Sequence, residues 1–215
     1  MQKSLLLAAG AVAFLMQSAF GQVAYNESWE NTSDGWSTIG GNMISEGFST
    51  TFGVTEGTYS LILGDASTAT SGPNYAGQWG STASTALTAD LANATSVTLD
   101  VYVPSGDFGG FLQWDLALNG GGLGYQSVDG YNYHESATIG SEAVLTWTIP
   151  TAMQATLAAN PTLATSLNFQ IGGGFTSAAD AAYLDDLTIT VPEPTTMALC
   201  GLGMAGLVAL RRRKV

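Results

Sequence analysis

Strict alternation of apolar and polar side chains runs through the middle of this chain. Val97, Leu99, Val101 and Val103 alternate with Thr98, Asp100 and Tyr102. Leu112, Trp114, Leu116 and Leu118 alternate with Gln113, Asp115 and Ala117. The same period returns at Leu145, Trp147 and Ile149, at Leu167, Phe169 and Ile171, and at Leu187, Ile189 and Val191. Successive side chains of a strand point to opposite faces, so this spacing predicts antiparallel strands with one buried and one polar face. Gly, Ser, Thr and Asn fill the intervals, and Pro104 and Pro150 end strands. Only Thr151 to Ala159 reads as helical. No repeat of roughly 20–50 residues is visible, which disfavours a propeller or solenoid. The expected fold is all-β, an antiparallel jelly-roll β-sandwich.

Both ends break the alternation. Lys3, the apolar run Leu5 to Met16 and the small-x-small site Ala19-Phe20-Gly21 read as a signal peptide over 1–21, with an uncleaved anchor as the alternative. The C-terminal stretch 192–215 holds Pro192-Glu193-Pro194, an apolar run from about Met197 to Leu210, and the basic stop Arg211, Arg212, Arg213 and Lys214. As a helix that run spans about 21 Å, short of the roughly 30 Å hydrocarbon core. Thr195 and Thr196 can extend it, and the basic side chains can snorkel. A buried terminal helix is the alternative; the abutting cations speak against it and would hold that end cytoplasmic. The two prolines keep the motif extended and accessible. Gly201, Gly203 and Gly206 fit a dinucleotide fingerprint on paper, but they follow no strand and suit close helix packing in a membrane instead.

Val191-Pro192-Glu193-Pro194, the glycine-punctuated apolar segment and the Arg cluster closely resemble the C-terminal sorting signal of PEP-CTERM proteins. The resemblance implies an exosortase-type peptidase that cuts near the motif, for which Pro192, Glu193 and Pro194 are substrate. It further implies a bacterium making extracellular polysaccharide, and delivery to the cell surface or matrix after a transient membrane stage.

Between the two ends lies a stretch, 22–191, long enough for one domain with a real core. The chain's five Lys and Arg all fall outside it, whereas of its 17 acids only Glu193 does, leaving 17 − 1 = 16 inside. Such a domain excludes nucleic acid and anionic lipid as partners, since binding to either rests on Lys and Arg. It would attract divalent cations, or simply stay soluble through charge. Cys200, the one cysteine, lies in the tail, so the domain holds no disulfide and depends on packing, with or without a metal.

Ser28-Trp29-Glu30 with Asp34-Gly35-Trp36 at the start, and Tyr183-Leu184-Asp185-Asp186-Leu187 at the end, resemble the opening and closing segments of jelly-roll carbohydrate-binding modules and galactose-binding-like domains. That resemblance implies a structural Ca²⁺ where first and last strands meet, with Glu30, Asp185 and Asp186 as the matching carboxylates. Asp185 shares the phase of Leu187 and Ile189 and is expected to point inward, where a metal would offset the cost of burial. An exposed strand end, or backbone N–H donors, would serve it equally.

The polar phase supplies a second constellation. Asp100, Tyr102, Gln113, Asp115, Asn168 and Gln170 project away from the core, and as neighbours they would present amides, carboxylates and a tyrosine suited to sugar hydroxyls. An ordinary solvated face is the alternative. A rival ligand site is the aromatic loop of Tyr125, Tyr131, Tyr133 and His134, which could equally pack on the domain edge. Trp114 and Trp147 belong to the core phase; Trp36 and Trp79 are open.

Enzyme signatures are thin. A lone histidine excludes His clusters for zinc and offers no nucleophile–histidine context. With 16 acids some pair meets glycosidase spacing by chance. The expectation is a non-enzymatic, exported, glycan-binding sandwich whose partner is extracellular polysaccharide. The alternatives are a structural matrix protein without a small ligand, and a polysaccharide hydrolase or lyase on the same fold.

Overall fold

The computed structural model describes residues 21–41, 43–65, 77–104, 112–130, 134–135, 140–173 and 181–192; residues 43–46, 65, 134, 135 and 173 enter only through their backbone. Residues 1–20 of the expected signal peptide, the sorting motif beyond Pro192, the apolar helix and the basic stop lie outside these residues. Among the described residues, no helix is long and apolar enough to cross a membrane.

The alternating segments form strands where the sequence predicts them. In chain order these are β1 (Gln22–Glu27), β2 (Ser37–Gly41), β3 (Met43–Ser49), β4 (Ser60–Asp65), β5 (Gly77–Gly80), β6 (Ser96–Tyr102) and β7 (Leu112–Gly120). They continue with β8 (Gly124–Ser127), β9 (His134–Glu135), β10 (Glu142–Trp147), β11 (Thr165–Gly173) and β12 (Ala181–Val191). They pair into two six-stranded sheets. The first runs β10-β6-β12-β4-β3, with β1 also on β12; the second runs β2-β5-β11-β7-β8, with β9 also on β7. The pairings with a recorded register are antiparallel. Residues Val23–Thr190 form one compact unit.

The inward positions of both sheets make one core. Val97, Leu99, Val101, Leu112, Trp114, Leu116, Leu118, Leu145, Trp147, Leu167, Phe169, Ile171, Leu187 and Ile189 are all buried in it. Trp36 stacks on Phe169 with centroids 5.7 Å apart, and Trp29 meets Trp36 edge-on at 5.5 Å. Trp79 is buried as well, so the open assignments of Trp36 and Trp79 resolve to core. Aromatic burial of this kind is worth several kcal/mol per ring, about 3–5 on truncation.

Two helices carry the chain between sheets. α1 (Thr85–Asn93) joins β5 to β6, and α2 (Thr151–Ala159) joins β10 to β11. They pack on each other, and Gln154 Nε2 donates to the Ala94 carbonyl. α2 is the helix expected from sequence; α1 is not. Its signals are present nevertheless: Ser84 caps it by accepting Leu87 N–H at 3.1 Å, and Leu87 and Leu91 form its buried stripe.

One strand departs from its expected phase. Leu184 pairs with Val101 and Asp185 with Asp100, after which the register shifts before Thr188 meets Thr98. Asp186 takes a left-handed φ of 41°, the extra residue of a β-bulge. Leu184 and Leu187 therefore both face the core, and Asp185 stands on the outer face beside Asp100. The inward placement expected for Asp185 is thus corrected: an unseen bulge slips the alternation by one residue.

Candidate functional site

The six polar residues expected to share a face divide between two. Asp100 and Tyr102 lie on β6, in the first sheet, while Gln113 and Asp115 lie on β7 and Asn168 and Gln170 on β11, in the second. The two groups look outward from opposite sides of the sandwich. Strand order, which alternation does not encode, separates them.

On the first sheet the 50–59 segment covers the outer face around Asp185, Tyr102 and Tyr183, while Val144 of β10 stays exposed. Asp185 Oδ2 accepts Thr55 N–H at 2.6 Å, Glu56 N–H at 2.8 Å and the Thr55 hydroxyl at 3.2 Å, while Oδ1 accepts Asp186 N–H at 2.9 Å. Glu30 accepts Thr58 N–H at 2.9 Å and Tyr59 N–H at 3.4 Å. Phe52 is fixed by Ser49 Oγ, which accepts its N–H at 3.0 Å, and by Ser60 Oγ, which donates to its carbonyl at 2.6 Å. Its ring stacks on Tyr102 at 5.7 Å and leans on Tyr183. Gly53, at φ 65°, lies so close over Tyr183 and Tyr102 that a Cβ would meet their Cβ atoms at 2.6 and 3.2 Å. Burial pushes the Asp185 carboxyl above its usual range in spite of the N–H donors, and burial, opposed by Thr55, does the same to Asp100.

The implied calcium ligands take donors separately. Glu30 and Asp185 grip the 55–59 backbone, whereas Asp186 Oδ1 accepts from Asn26 Nδ2 at 2.7 Å and the Thr188 hydroxyl at 2.9 Å. Among the described residues no group of three or more His, Cys, Asp or Glu is placed to hold a metal ion. In this arrangement the three carboxylates are bonded to separate donors, and backbone N–H groups supply compensation for the burial of Asp185. Melting of the full chain in millimolar Ca²⁺ against EDTA tests the expectation. A rise of several degrees supports a structural ion; coincident curves remove it.

On the second sheet the outward residues fall into register. Gln170 lies between Gln78 of β5 and Asp115 of β7, Asn168 between Gly80 and Ala117, and Gly172 opposite Gln113. Tyr125, from β8, reaches into the same face: its hydroxyl accepts Gln78 Nε2 at 2.9 Å and Gln170 Nε2 at 2.7 Å. Two constellations treated as rivals, the polar sheet face and the aromatic loop, therefore meet at Tyr125. Tyr131 and Tyr133 lie outside the described residues; the His134 backbone sits opposite Trp114 in the register of β9 with β7.

This face has a deep polar floor and partly exposed flanks. Asp115 and Asn168 are 0% and 1% exposed, while Tyr125 and Ile39 are 38% and 50% exposed. Ser127 Oγ donates to Asp115 Oδ1 at 2.8 Å. Asn168 Oδ1 is buried without a hydrogen-bond partner, an acceptor whose desolvation is uncompensated. Gly80 leaves the room for it, because a Cβ there would collide with Asn168 Oδ1 and with the tip of Ile39. Sequence reasoning missed Gln78, Ser127 and Ile39. Gln78 stands two residues before Gly80 in a four-residue strand, too short to show a period.

A further polar cluster lies under the turn between β1 and β2. Glu27 Oε1 accepts Trp29 N–H at 3.1 Å and Oε2 accepts the Tyr25 hydroxyl at 3.2 Å. Burial, with repulsion from Asp34, raises the Glu27 carboxyl to about 7, against the pull of the Trp29 N–H. Burial likewise lifts the Tyr25 hydroxyl to about 12.

Comparison with known proteins adds the fold relatives and one motif. No curated protein matches the chain by sequence. A xylan-binding domain of carbohydrate-binding module family 22 is similar in structure, with TM-score 0.50, 15% identity, and 82% of this chain and 97% of that one covered. The C-terminal family 22 module of a Clostridium thermocellum protein is similar at TM-score 0.51 and 15% identity, covering 81% and 97%. A mannan-recognising family 27 module is similar at TM-score 0.50 and 10% identity, covering 80% and 99%. At such identities the likeness is one of fold: a jelly-roll β-sandwich. Residues 190–214 match the model of the PEP-CTERM protein-sorting motif. The chain thus carries a PEP-CTERM sorting motif, the mark of an exported protein that is sorted through a C-terminal anchor and processed by an exosortase.

Proposed function

We propose that this is a non-catalytic glycan-binding protein of the cell surface or extracellular matrix, which binds polysaccharide on the outer face of its second sheet. One observation carries the reading: Gln78, Gln170 and Asp115 stand side by side in register, with the Tyr125 hydroxyl held between the two glutamines. Planar amides fixed by a rigid sheet offer donors and acceptors in set directions, as ring hydroxyls require. A tyrosine at the rim offers an apolar surface to a pyranose. The likeness to xylan- and mannan-binding modules supports the reading at the level of fold. Export and sorting through the C-terminal motif would bring such a face to extracellular polysaccharide.

Hydrolysis or lysis is a poorer match. Among the described side chains of these strands only Asp115 carries a carboxyl on this face, and glycosidases use two. The structural-protein reading draws on one observation, the near-complete burial of Asp115 and Asn168. A glycan array probed with the full-length chain in detergent separates the two. Retention on polysaccharide, lost in Tyr125→Ala and unaccompanied by product, supports binding. Silence across the array selects the structural role.

A further inference from the structure

We infer that the second-sheet face selects neutral polysaccharide and rejects polymers of uronic or sulfated sugars, an inference resting on the glycan-binding reading above. Recognition of a carboxylate or sulfate draws on Arg or Lys, whose charge-assisted bonds are the strong ones. None is present: the chain's five are Lys3, Arg211, Arg212, Arg213 and Lys214, all remote in sequence from these strands. The amides are a weak substitute, since Gln78 and Gln170 each commit an N–H to the Tyr125 hydroxyl.

The floor also has the wrong polarity for an anion. Asn168 Oδ1 is a buried acceptor lacking a donor, and beside its strand lies the Asp115 carboxyl. Both are acceptors, so the field they set at the floor disfavours a carboxylate or sulfate oxygen, which brings only another acceptor. Around the site the domain carries 17 − 1 = 16 acids and no Lys or Arg, so a polyanion approaches against a field of its own sign. That field is screened over about 10 Å at 0.1 M salt, so rejection weakens as salt rises. Binding of a neutral polymer has no such dependence.

Affinity electrophoresis of the full-length chain tests this, using one neutral polysaccharide, xylan or mannan, and its carboxymethylated and sulfated derivatives. The expected result is retardation by the neutral polymer and at least tenfold weaker retardation by both derivatives, the gap closing as NaCl is raised. Equal or tighter binding of a derivative overturns the inference and leaves glycan binding intact. Absence of binding to all three polymers overturns the glycan-binding reading and the inference with it. Gln78→Lys supplies the missing charge and is expected to gain at least severalfold affinity for the derivatives. If it gains none while the neutral polymer still binds wild type, charge is not the discriminator.

Discussion

Asp185 and Asp115 are both fully buried and both stand on outward faces, one on each sheet. Asp185 is covered by its own chain. It gathers two N–H groups and a hydroxyl from Thr55 and Glu56, and these hold a loop with an aromatic residue flat against the sheet. Asp115 also takes a donor from its own chain, the Ser127 hydroxyl, but it lies one strand from Asn168 Oδ1, which has no partner. The same alternation of apolar and polar residues thus yields a face whose carboxylates are bound by a loop of the chain and a face on which one buried acceptor, Asn168 Oδ1, has no partner. A polar phase in a strand says which side faces out; what lies above that side decides between anchor and site.

The contrast breaks most visibly at Asp185. Asp185→Ala strands donors of the 55–56 backbone and is expected to cost about 2–4 kcal/mol in urea unfolding. If the faces are independent, polysaccharide affinity per folded molecule stays unchanged; a parallel loss of affinity would join the faces into one unit. Next in size, Gln170→Ala is expected to weaken polysaccharide binding about tenfold, or about 1.4 kcal/mol, with a melting temperature close to wild type. A large fall in melting temperature with intact binding would make Gln170 a second anchor.

Acidity sharpens the comparison from below the first sheet. Glu27 is raised from 4.5 to about 7 in the fold, so its ionisation is less favourable there than in the unfolded chain. Stability is therefore highest below about 4.5, falls as pH rises through about 7, and then levels off. Asp185 and Asp100 are shifted the same way and add to the slope. Glu27→Gln is expected to flatten the profile and raise the melting temperature at pH 8 more than at pH 5; an unchanged slope would assign it to general charge repulsion. The smallest effect belongs to Phe52→Ala, about 0.5–1.5 kcal/mol from lost ring contacts, with no change in polysaccharide binding. Weakened binding would mark the first sheet as a ligand face too.

The fold was largely legible because its information is local. Val97 to Val103, Leu112 to Leu118 and Leu167 to Ile171 each declare a buried phase, and Trp114 and Trp147 follow it into the core. Gln113, Asp115, Asn168 and Gln170 were legible as outward residues for the same reason. Their separation from Asp100 and Tyr102 was not, because it depends on which strands pair across long stretches of chain. The phase of Asp185 was lost at Asp186, a non-glycine residue with positive φ that no composition rule flags. Coverage of the first sheet was hidden as well: Thr51, Gly53, Thr55 and Gly57 read as loop, and nothing in them names the carboxylates that will hold them.

Strand β12 has a mechanical consequence. It ends at Val191, one residue before the two prolines of the sorting motif, and is bonded to β6 on one side with β4 and β1 as further partners. A pull applied to the tail through Pro192 would enter the fold at the end of this strand. Hydrogen bonds between antiparallel strands lie across the strand axis, so any component of load along β12 would fall on many of them together in shear and would not peel them one at a time. The tether is thereby fastened to an inner strand of the first sheet, where a tensile load is shared among several neighbours.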